Sequence, residues 1–183
     1  RQSKLEGFRS RAIYKLKEID EKFKIINNIS TAIDLGAAPG SWSQYLRKKI
    51  SKGKILSIDI LDFDPIKDVY LIKGDFTDEK YQNEIINYFG SKVDLIVSDM
   101  AVNTTGNKNL DSIVTGELSL EAMNFAVNNL VKNGIFISKI FMGSGFNEIV
   151  AMGKKSFKEF RVYKPPSSRK DSKESFIICK KLK

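Results

Sequence analysis

Short apolar segments alternate with amphipathic helical patterns along most of the chain. The apolar segments are mostly β-branched, as buried strands are, and they occupy residues 31–36, 54–59, 69–75, 93–99 and 134–141. The helical patterns between them cover residues 41–50, 78–89 and 119–132. Such alternation predicts right-handed βαβ units and a parallel sheet with helices on both faces. The predicted fold class is therefore α/β.

The two ends of the chain extend this pattern. Residues 8–22 carry an apolar stripe that predicts an amphipathic helix. A further helix is predicted near residues 145–158, and residues 160–164 and 175–181 are spaced as a terminal hairpin with an antiparallel strand. With 183 residues and no linker, we expect one domain spanning residues 1–183.

The composition restricts the function classes. The formal charge of +9 favours a polyanionic partner such as nucleic acid. The chain has no histidine and a single cysteine, Cys179, which excludes Ser-His-Asp and Cys-His catalysis and an internal disulfide and argues against a zinc site; we predict no bound metal. No apolar run approaches a membrane span, so we expect no membrane partner. The chain starts at Arg1, which leaves cytoplasmic, mitochondrial and nucleolar locations open within an expected intracellular setting.

The sequence DLGAAPGSW, residues 34–42, combines a strand end, a loop of small residues and a helix start. Such a loop lets the backbone approach a ligand closely, although a tight turn that needs glycine for geometry alone is the alternative. Gly36 and Gly40 are wrongly spaced for the dinucleotide and P-loop fingerprints.

Four aspartates close successive predicted strands: Asp34, Asp59, Asp75 and Asp99. Each alone could be a helix cap or a turn former. Because the carboxyl ends of parallel strands meet at one edge, together they predict a cleft of negative potential suited to a cation such as the sulfonium of S-adenosylmethionine. Asp59 also falls about twenty residues after the glycine loop, where a carboxylate binds ribose hydroxyls.

Lys139 interrupts the apolar segment GIFISKIFMG, residues 134–143. Asp99 and Lys139 end strands that we expect to be neighbours. Burial would lower the pKa of this lysine and Asp99 would raise it, and the sequence does not decide between the two. The alternative is a lysine that extends from a strand end to water.

Several motifs, in order, resemble the FtsJ/RrmJ family of RNA ribose 2′-O-methyltransferases over nearly the whole chain. They are SRAIYKL (10–16), DLGAAPGSWSQYL (34–46), DFDP (62–65), GDF (74–76), SDMA-N (98–103), SKIFMGSGF (138–146) and KPPSSRKDSKESFII (164–178). The resemblance implies a Rossmann-like S-adenosylmethionine-dependent methyltransferase fold, with a mostly parallel seven-stranded sheet and one antiparallel strand.

The resemblance also implies site residues. Its catalytic tetrad falls on Lys15, Asp99, Lys139 and Glu174. Its cofactor contacts fall on Gly36, Gly40, Trp42, Asp59, Asp75 and Asp99. Without the resemblance, Trp42 is typical of a core-facing helix residue. Two positions depart from the family pattern: Ser41 replaces a glycine and is expected to cap the helix, and Val102 replaces a proline in the substrate loop.

Basic residues flank the predicted catalytic positions. We expect RNA phosphates to bind Arg9, Arg11, Lys164, Arg169 and Lys170, with residues 1–22 forming a basic helix that serves both RNA and the active site. Solvated basic segments are the alternative. Residues 102–112 and 164–174 are predicted to be mobile loops.

Four functions are considered for this fold. The resemblance points to ribosomal large-subunit RNA as substrate and to a monomer. The alternatives are 2′-O-methylation of a tRNA anticodon loop and a non-catalytic RNA-binding module. A nicotinamide-dependent oxidoreductase is opposed by the missing phosphate-binding fingerprint and the acidic cleft.

Overall fold

The computed structural model describes residues 1–100, 106–143 and 145–183. Its helices are α1 (Gln2–Leu5), α2 (Ile13–Phe23), α3 (Ser41–Lys49), α4 (Glu79–Phe89), α5 (Lys108–Asn129) and α6 (Phe146–Ser156). Its strands are β1 (Thr31–Leu35), β2 (Lys54–Asp59), β3 (Tyr70–Lys73), β4 (Val93–Ser98), β5 (Leu130–Phe141), β6 (Phe157–Tyr163) and β7 (Glu174–Leu182). No helix within the described ranges is long and apolar enough to cross a membrane.

The seven strands form one sheet in the order β3-β2-β1-β4-β5-β7-β6. Strands β1 to β5 pair in parallel, and β7 lies antiparallel to both of its neighbours. The predicted α/β class and the mostly parallel seven-stranded sheet are confirmed. The order reverses between β1 and β4, which opens a crevice at the carboxyl ends of these strands.

Helices cover both faces of the sheet, which explains why the central strands are apolar almost throughout. Helices α2 and α3 pack on one face through side chains that include Leu16, Leu46 and Val97. Helices α4, α5 and α6 pack on the other face, where Phe136 and Ile96 belong to the buried set. The sheet therefore fixes, from both sides, where the side chains at its carboxyl edge are placed.

The largest differences from the predicted boundaries are at the starts of three elements. Helix α2 begins at Ile13, five residues later than predicted, because the preceding segment lies against α3, with Ser10 Oγ 2.8 Å from Ser41 Oγ. Helix α5 begins at Lys108, eleven residues before the predicted start and within the predicted loop 102–112. Strand β5 begins at Leu130, four residues early.

The prediction that Ser41 caps α3 is wrong. The N-cap residue is Gly40, at φ 113°, which has no side chain to cap the helix. Ser41 is instead the first helical residue, almost fully buried, and its hydroxyl is bonded to Ser10. Val102 lies outside the described residues.

Candidate active site

Four charged side chains form a continuous chain of ion pairs at the carboxyl edge of the sheet. Lys15 Nζ lies 2.6 Å from Glu174 Oε1, and Glu174 Oε2 lies 3.5 Å from Lys139 Nζ. Lys139 Nζ in turn lies 3.0 Å from Asp99 Oδ1. The structure thus brings together all four residues of the predicted tetrad, from positions 15 to 174 of the sequence.

The sheet register explains this meeting. Ser98 on β4 pairs with Ser138 on β5, so the next residues, Asp99 and Lys139, lie side by side. Glu174, the first residue of β7, pairs with Phe141, two residues beyond Lys139 on the same strand. Side chains two apart on a strand share a face, which lets Glu174 and Lys139 meet.

Lys15 reaches the same point from helix α2. Its neighbour Leu16 is fully buried against the sheet, in the cluster that also contains Ile137 and Phe176. Ile137 lies two residues before Lys139 on β5, on the face that α2 covers. The apolar stripe of α2 therefore places Lys15 over the Lys139 side of the sheet.

The tetrad is largely buried and balanced in charge. Burial lowers the pKa of Lys139, but the carboxylates of Asp99 and Glu174 together outweigh burial and raise this pKa above its ordinary value. Burial raises the pKa of Glu174, but the hydrogen bond from Lys15 and the charge of Lys139 prevail and lower it. The sequence left open whether burial or Asp99 would dominate the pKa of Lys139. The carboxylates dominate, which favours the ammonium form of Lys139. Two cations and two anions together make burial of the group tolerable.

A cavity of about 390 Å³ adjoins the tetrad at the β1/β4 crevice. Its lining comprises Gly36, Ala38, Ile58, Asp59, Ile60, Leu61, Gly74, Asp75, Phe76, Asp99, Met100 and Leu118. This described lining has three carboxylates and neither lysine nor arginine, with apolar side chains around them. Three of the four aspartates predicted to form an acidic cleft line this cavity, and Asp34 does not. Asp99 belongs both to the cavity lining and to the tetrad.

Asp59 also shapes the walls of this cavity. Its Oδ2 accepts a hydrogen bond from Ala38 N at 2.8 Å, and its Oδ1 accepts one from Leu61 N at 2.9 Å. Gly36 is at φ 71°, and a Cβ there would lie 2.2 Å from Met100 Cγ. The predicted need for glycine at position 36 therefore has a steric cause.

Gly40 and Trp42 lie away from the cavity lining. Trp42 Nε1 donates to Ala12 O at 2.8 Å, and its ring packs on Phe176 with centroids 5.8 Å apart. The side chain is 3% exposed. Trp42 thus lies in the core between α2 and the sheet, as expected for a core-facing helix residue, and does not line the cavity.

Two of the five predicted RNA contacts bind the protein's own backbone. Arg9 donates to the carbonyls of Pro39, Asp64 and Pro65. Lys164 Nζ donates to the carbonyls of Ser172 at 2.7 Å and Glu174 at 3.1 Å. The other three, Arg11, Arg169 and Lys170, are exposed. Arg11 borders an open depression of about 580 Å³ beside α1 and α2.

Two further polar residues lie near the site, and the sequence had singled out only one of them, Asp34. Ser168 Oγ donates to Glu174 Oε1 at 3.0 Å and is nearly buried. Asp34, predicted only as one of the strand-ending acids, is fully buried; its Oδ2 accepts from Ser43 Oγ at 2.7 Å. Its Oδ1 has no hydrogen-bond partner in the described part of the chain, and burial raises the pKa of Asp34 to about 7. A serine in a loop carries no signal of such a role.

No group of three or more histidine, cysteine, aspartate or glutamate residues is placed to hold a metal ion within the described part of the chain. The described side chains at this site are lysines and carboxylates beside an acidic cavity.

Comparisons with known proteins show the family of this chain. The model of the FtsJ-like methyltransferase family matches residues 8–182. Proteins named ribosomal RNA large subunit methyltransferase E are 61% identical in Pelagibacter ubique, over all of this chain and 90% of that protein, and 44% identical in Rickettsia akari, over 97% and 81%.

Solved structures give the same answer. A Plasmodium falciparum protein, provisionally described as a ribosomal RNA methyltransferase, superposes with a TM-score of 0.85 at 32% identity, covering 96% of this chain and 98% of that one. A Streptococcus mutans protein, provisionally described as a methyltransferase and solved with SAH, has a TM-score of 0.60 at 15% identity over 90% and 97% of the two chains, which shows a shared fold. Fold, edge geometry and sequence agree, and the chain belongs to the FtsJ-like methyltransferase family.

Proposed function

We propose that this protein methylates a ribose 2′-hydroxyl of RNA with S-adenosylmethionine, and that the substrate is ribosomal large-subunit RNA. The observation that carries the proposal is the position of Asp99, which ends the ion-paired chain through Lys139 and also lines the acidic cavity. A cofactor bound in the cavity and a hydroxyl placed at Lys139 would therefore both lie next to Asp99. The names of the relatives support the choice of ribosomal RNA.

The cavity fits S-adenosylmethionine by the chemistry of its lining. Asp59, Asp75 and Asp99 would favour a cationic ligand, and the backbone at Gly36 allows close approach. The bound cofactor supplies an electrophilic methyl group on its sulfonium. Apolar side chains, Ile60 and Leu61 among them, would cover the rest of the ligand.

The tetrad would place and deprotonate the attacking hydroxyl. Asp99 and Glu174 hold the amine of Lys139 from two sides, and Lys15 holds Glu174 in turn. As an ammonium, Lys139 can donate a hydrogen bond to the hydroxyl oxygen and orient it; as a neutral amine it can accept the proton. Because the carboxylates raise the pKa of Lys139, acceptance requires prior loss of its own proton, so turnover should increase with pH. Positioning of the reactants would contribute most of the rate.

The proposal is tested by incubating the protein with labelled S-adenosylmethionine and with separated ribosomal and transfer RNA pools. We expect the label in large-subunit RNA, on a ribose that resists alkaline cleavage at the next phosphodiester bond. Label confined to transfer RNA would move the substrate to the anticodon-loop alternative. Binding of RNA without transfer of label would identify a non-catalytic module.

Replacement of Lys139 by alanine tests the role of the tetrad. We expect turnover to fall by at least about 10²-fold, because orientation and proton transfer are both lost, while calorimetry shows nearly unchanged affinity for S-adenosylmethionine. Lys181→Ala is the matched control, since Lys181 also pairs with a glutamate, Glu159 at 2.8 Å, but is half exposed. Methylation by Lys139→Ala at the wild-type rate would remove the proposed role.

We also propose that residues 1–183 act as one monomeric domain in an intracellular compartment. The two buried clusters share a single sheet, and the one cysteine is buried as a free thiol. Light scattering on the purified protein tests the monomer, and a tagged protein observed in cells tests the location.

A further inference from the structure

The guanidinium of Arg9 lies where three segments of the chain meet. Its Nη1 donates to the carbonyl of Pro39 at 3.0 Å and to that of Asp64, and its Nη2 donates to the carbonyl of Pro65 at 3.0 Å. Arg9 itself belongs to the segment between α1 and α2. A planar guanidinium can serve several carbonyls at once, which a lysine ammonium cannot do in the same geometry.

The segment that carries Arg9 is fixed separately on helix α3. Arg9 N donates to Gln44 Oε1 at 3.0 Å, and Gln44 Nε2 donates back to Gly7 O at 3.3 Å. The hydroxyls of Ser10 and Ser41 lie 2.8 Å apart. These contacts hold the backbone at Arg9 against α3, independently of the hydrogen bonds that its guanidinium makes.

The two loops that Arg9 joins are the ones that line the cavity. Gly36 and Ala38 come from the β1–α3 loop, and Ile60 and Leu61 come from the connection between β2 and β3. Asp59 ties the same loops together at the cavity by accepting from Ala38 N and Leu61 N. Arg9 does not line the cavity. It ties the same two loops a second time, one residue further along the first loop and three to four residues further along the second.

The packing at this second tie is tight. Gly40 is at φ 113°, and a Cβ there would lie 3.0 Å from Arg9 Nη1 and 3.0 Å from Ile66 Cδ1. The guanidinium thus lies directly against the turn that starts α3, with a side chain of the second loop beside it. Little room remains for either loop to move independently of Arg9.

We propose that Arg9 is a positioning residue for the cofactor, and not a contact for RNA phosphates as its place in the basic N-terminal segment suggests. It holds the two walls of the cavity at the separation that S-adenosylmethionine requires. Its segment continues into α2 and reaches Lys15 six residues later, so Arg9 also relates the position of the cavity to that of the tetrad. The inference rests on the proposed function in one respect, the identity of the cavity's ligand.

The test measures affinity for S-adenosylmethionine by calorimetry in the absence of RNA. We expect Arg9→Lys and Arg9→Gln to bind about tenfold or more weakly than the wild type, and Arg11→Gln, two residues away and exposed, to bind like the wild type. In turnover, Arg9→Lys should raise the KM for S-adenosylmethionine much more than it lowers kcat at saturating cofactor. A general loss of fold would lower the active fraction instead and leave KM unchanged.

RNA affinity measured over a range of salt concentrations separates the two roles. A lost phosphate contact reduces the salt slope by about one, and we expect this for Arg11→Gln and not for Arg9→Gln. Wild-type affinity of Arg9→Lys for S-adenosylmethionine, or a reduced salt slope in Arg9→Gln with unchanged cofactor affinity, would overturn the inference.

Two further measurements keep the test decisive. Guanidinium ion at tens of millimolar should restore cofactor binding to Arg9→Ala, whereas the same concentration of sodium chloride should not. Absence of rescue would count against the positioning role of Arg9. Amide hydrogen exchange of Ala38 and Leu61 in the ligand-free protein should be faster in Arg9→Lys. If the wild type fails to bind S-adenosylmethionine, the proposed function is wrong, and the exchange rates still decide whether Arg9 holds the loops.

Discussion

At the scale of single residues, Glu174 has the most demanding position in the site. Its two carboxylate oxygens face two different lysines, and the hydroxyl of Ser168 donates a hydrogen bond to Oε1. Removal of this carboxylate would leave a nearly buried pair of ammonium groups with Asp99 as their remaining acidic neighbour in the tetrad. Loss of one partner from such a group costs far more than the group contributes as a whole.

Glu174→Gln should therefore alter the pH dependence of turnover as well as its rate. Glu174 is one of the carboxylates that raise the pKa of Lys139, so its loss lowers that pKa and produces the neutral amine at lower pH. We expect kcat to fall by about 10²-fold and the rising limb of the pH profile to move towards acid. Glu159→Gln, on an exposed ion pair, is the control; an unmoved limb would show that Lys139 does not titrate in turnover.

Asp34 predicts a pH dependence of stability. Burial raises its pKa from 3.8 to about 7, so between these values the folded protein binds a proton that the unfolded chain has released. Stability must then decrease as pH rises through this window, by up to ~4 kcal/mol for a shift of about three units. Asn resembles the protonated acid and can still accept from Ser43.

We therefore expect Asp34→Asn to be more stable than the wild type at pH 8 and to lose this advantage near pH 4. Denaturant unfolding at a series of pH values measures the difference between the two proteins. A difference that stays constant with pH would show that Asp34 is ionised in the folded state throughout.

The sequence predicted which residues meet in the tetrad, but it did not predict the directions in which their pKa values shift. Motif order and the rule for strand ends sufficed for Asp99 and Lys139. The direction of the Lys139 pKa needed the number of carboxylates around it, and the uses of Arg9, Lys164 and Ser168 depend on carbonyls and carboxylates brought near by loops. No local pattern reports such contacts.

At the scale of elements, the β1–β2 unit is closed at its amino edge by Gly53. This residue is at φ 133°, and a Cβ would lie 1.9 Å from the carbonyl oxygen of Ser30, which accepts the backbone N–H of Lys54. The atoms that a Cβ would meet all belong to the backbone of Ser30, so no flexible side chain can move aside. This turn is remote from the cavity, at the opposite edge of the sheet.

Gly53→Ala should consequently destabilise the protein by roughly 2–4 kcal/mol through overpacking and strain, without a specific change in cofactor affinity. Gly90→Ala is the matched control, since Gly90 is also at positive φ, 67°, but a Cβ there would meet no described atom within 4 Å. We expect it to cost about 1 kcal/mol. Thermal or urea unfolding measures both; equal losses would mean that the contact with Ser30 relaxes.

Most helices and strands with strong periodicity were predicted well, and two segments were not. The first half of α5 contains asparagine, serine and threonine, which favour turns locally, yet the helix begins at Lys108 and buries Thr115 almost completely. Residues 8–12 had the stripe of a helix but are held against α3 by side-chain contacts. In both cases a tertiary contact prevailed over local propensity.

At the scale of the whole molecule, a chain of formal charge +9 surrounds an acidic cavity. The loop between β6 and β7 carries Arg169 and Lys170 in exposed positions and is attached to α2 through Glu18, which accepts from Ser167 N at 3.1 Å. This loop leads directly into Glu174. Arg169 directly follows Ser168, which contacts Glu174, so the basic residues of this loop lie close to the tetrad. An RNA backbone bound at the tetrad would pass near them.

The double variant Arg169→Gln, Lys170→Gln should weaken RNA binding similarly for all sequences and reduce the salt slope of log K by about two. Lys154→Gln, Lys155→Gln is the control, because β6 and β7 place the end of α6 at the opposite edge of the sheet. Equal effects of the two pairs would indicate that net charge, and not this loop, governs binding.

The path of the last strand has a consequence for synthesis. Strand β7 enters between β5 and β6, both of which the ribosome has already produced, and it alone delivers Glu174 beside Lys139. A nascent chain interrupted before this strand would hold Lys139 without one of its two carboxylates and would leave an open seam in the sheet. Assembly of the tetrad thus coincides with the entry of β7 into the sheet, and we expect chains that end before this strand to lack activity.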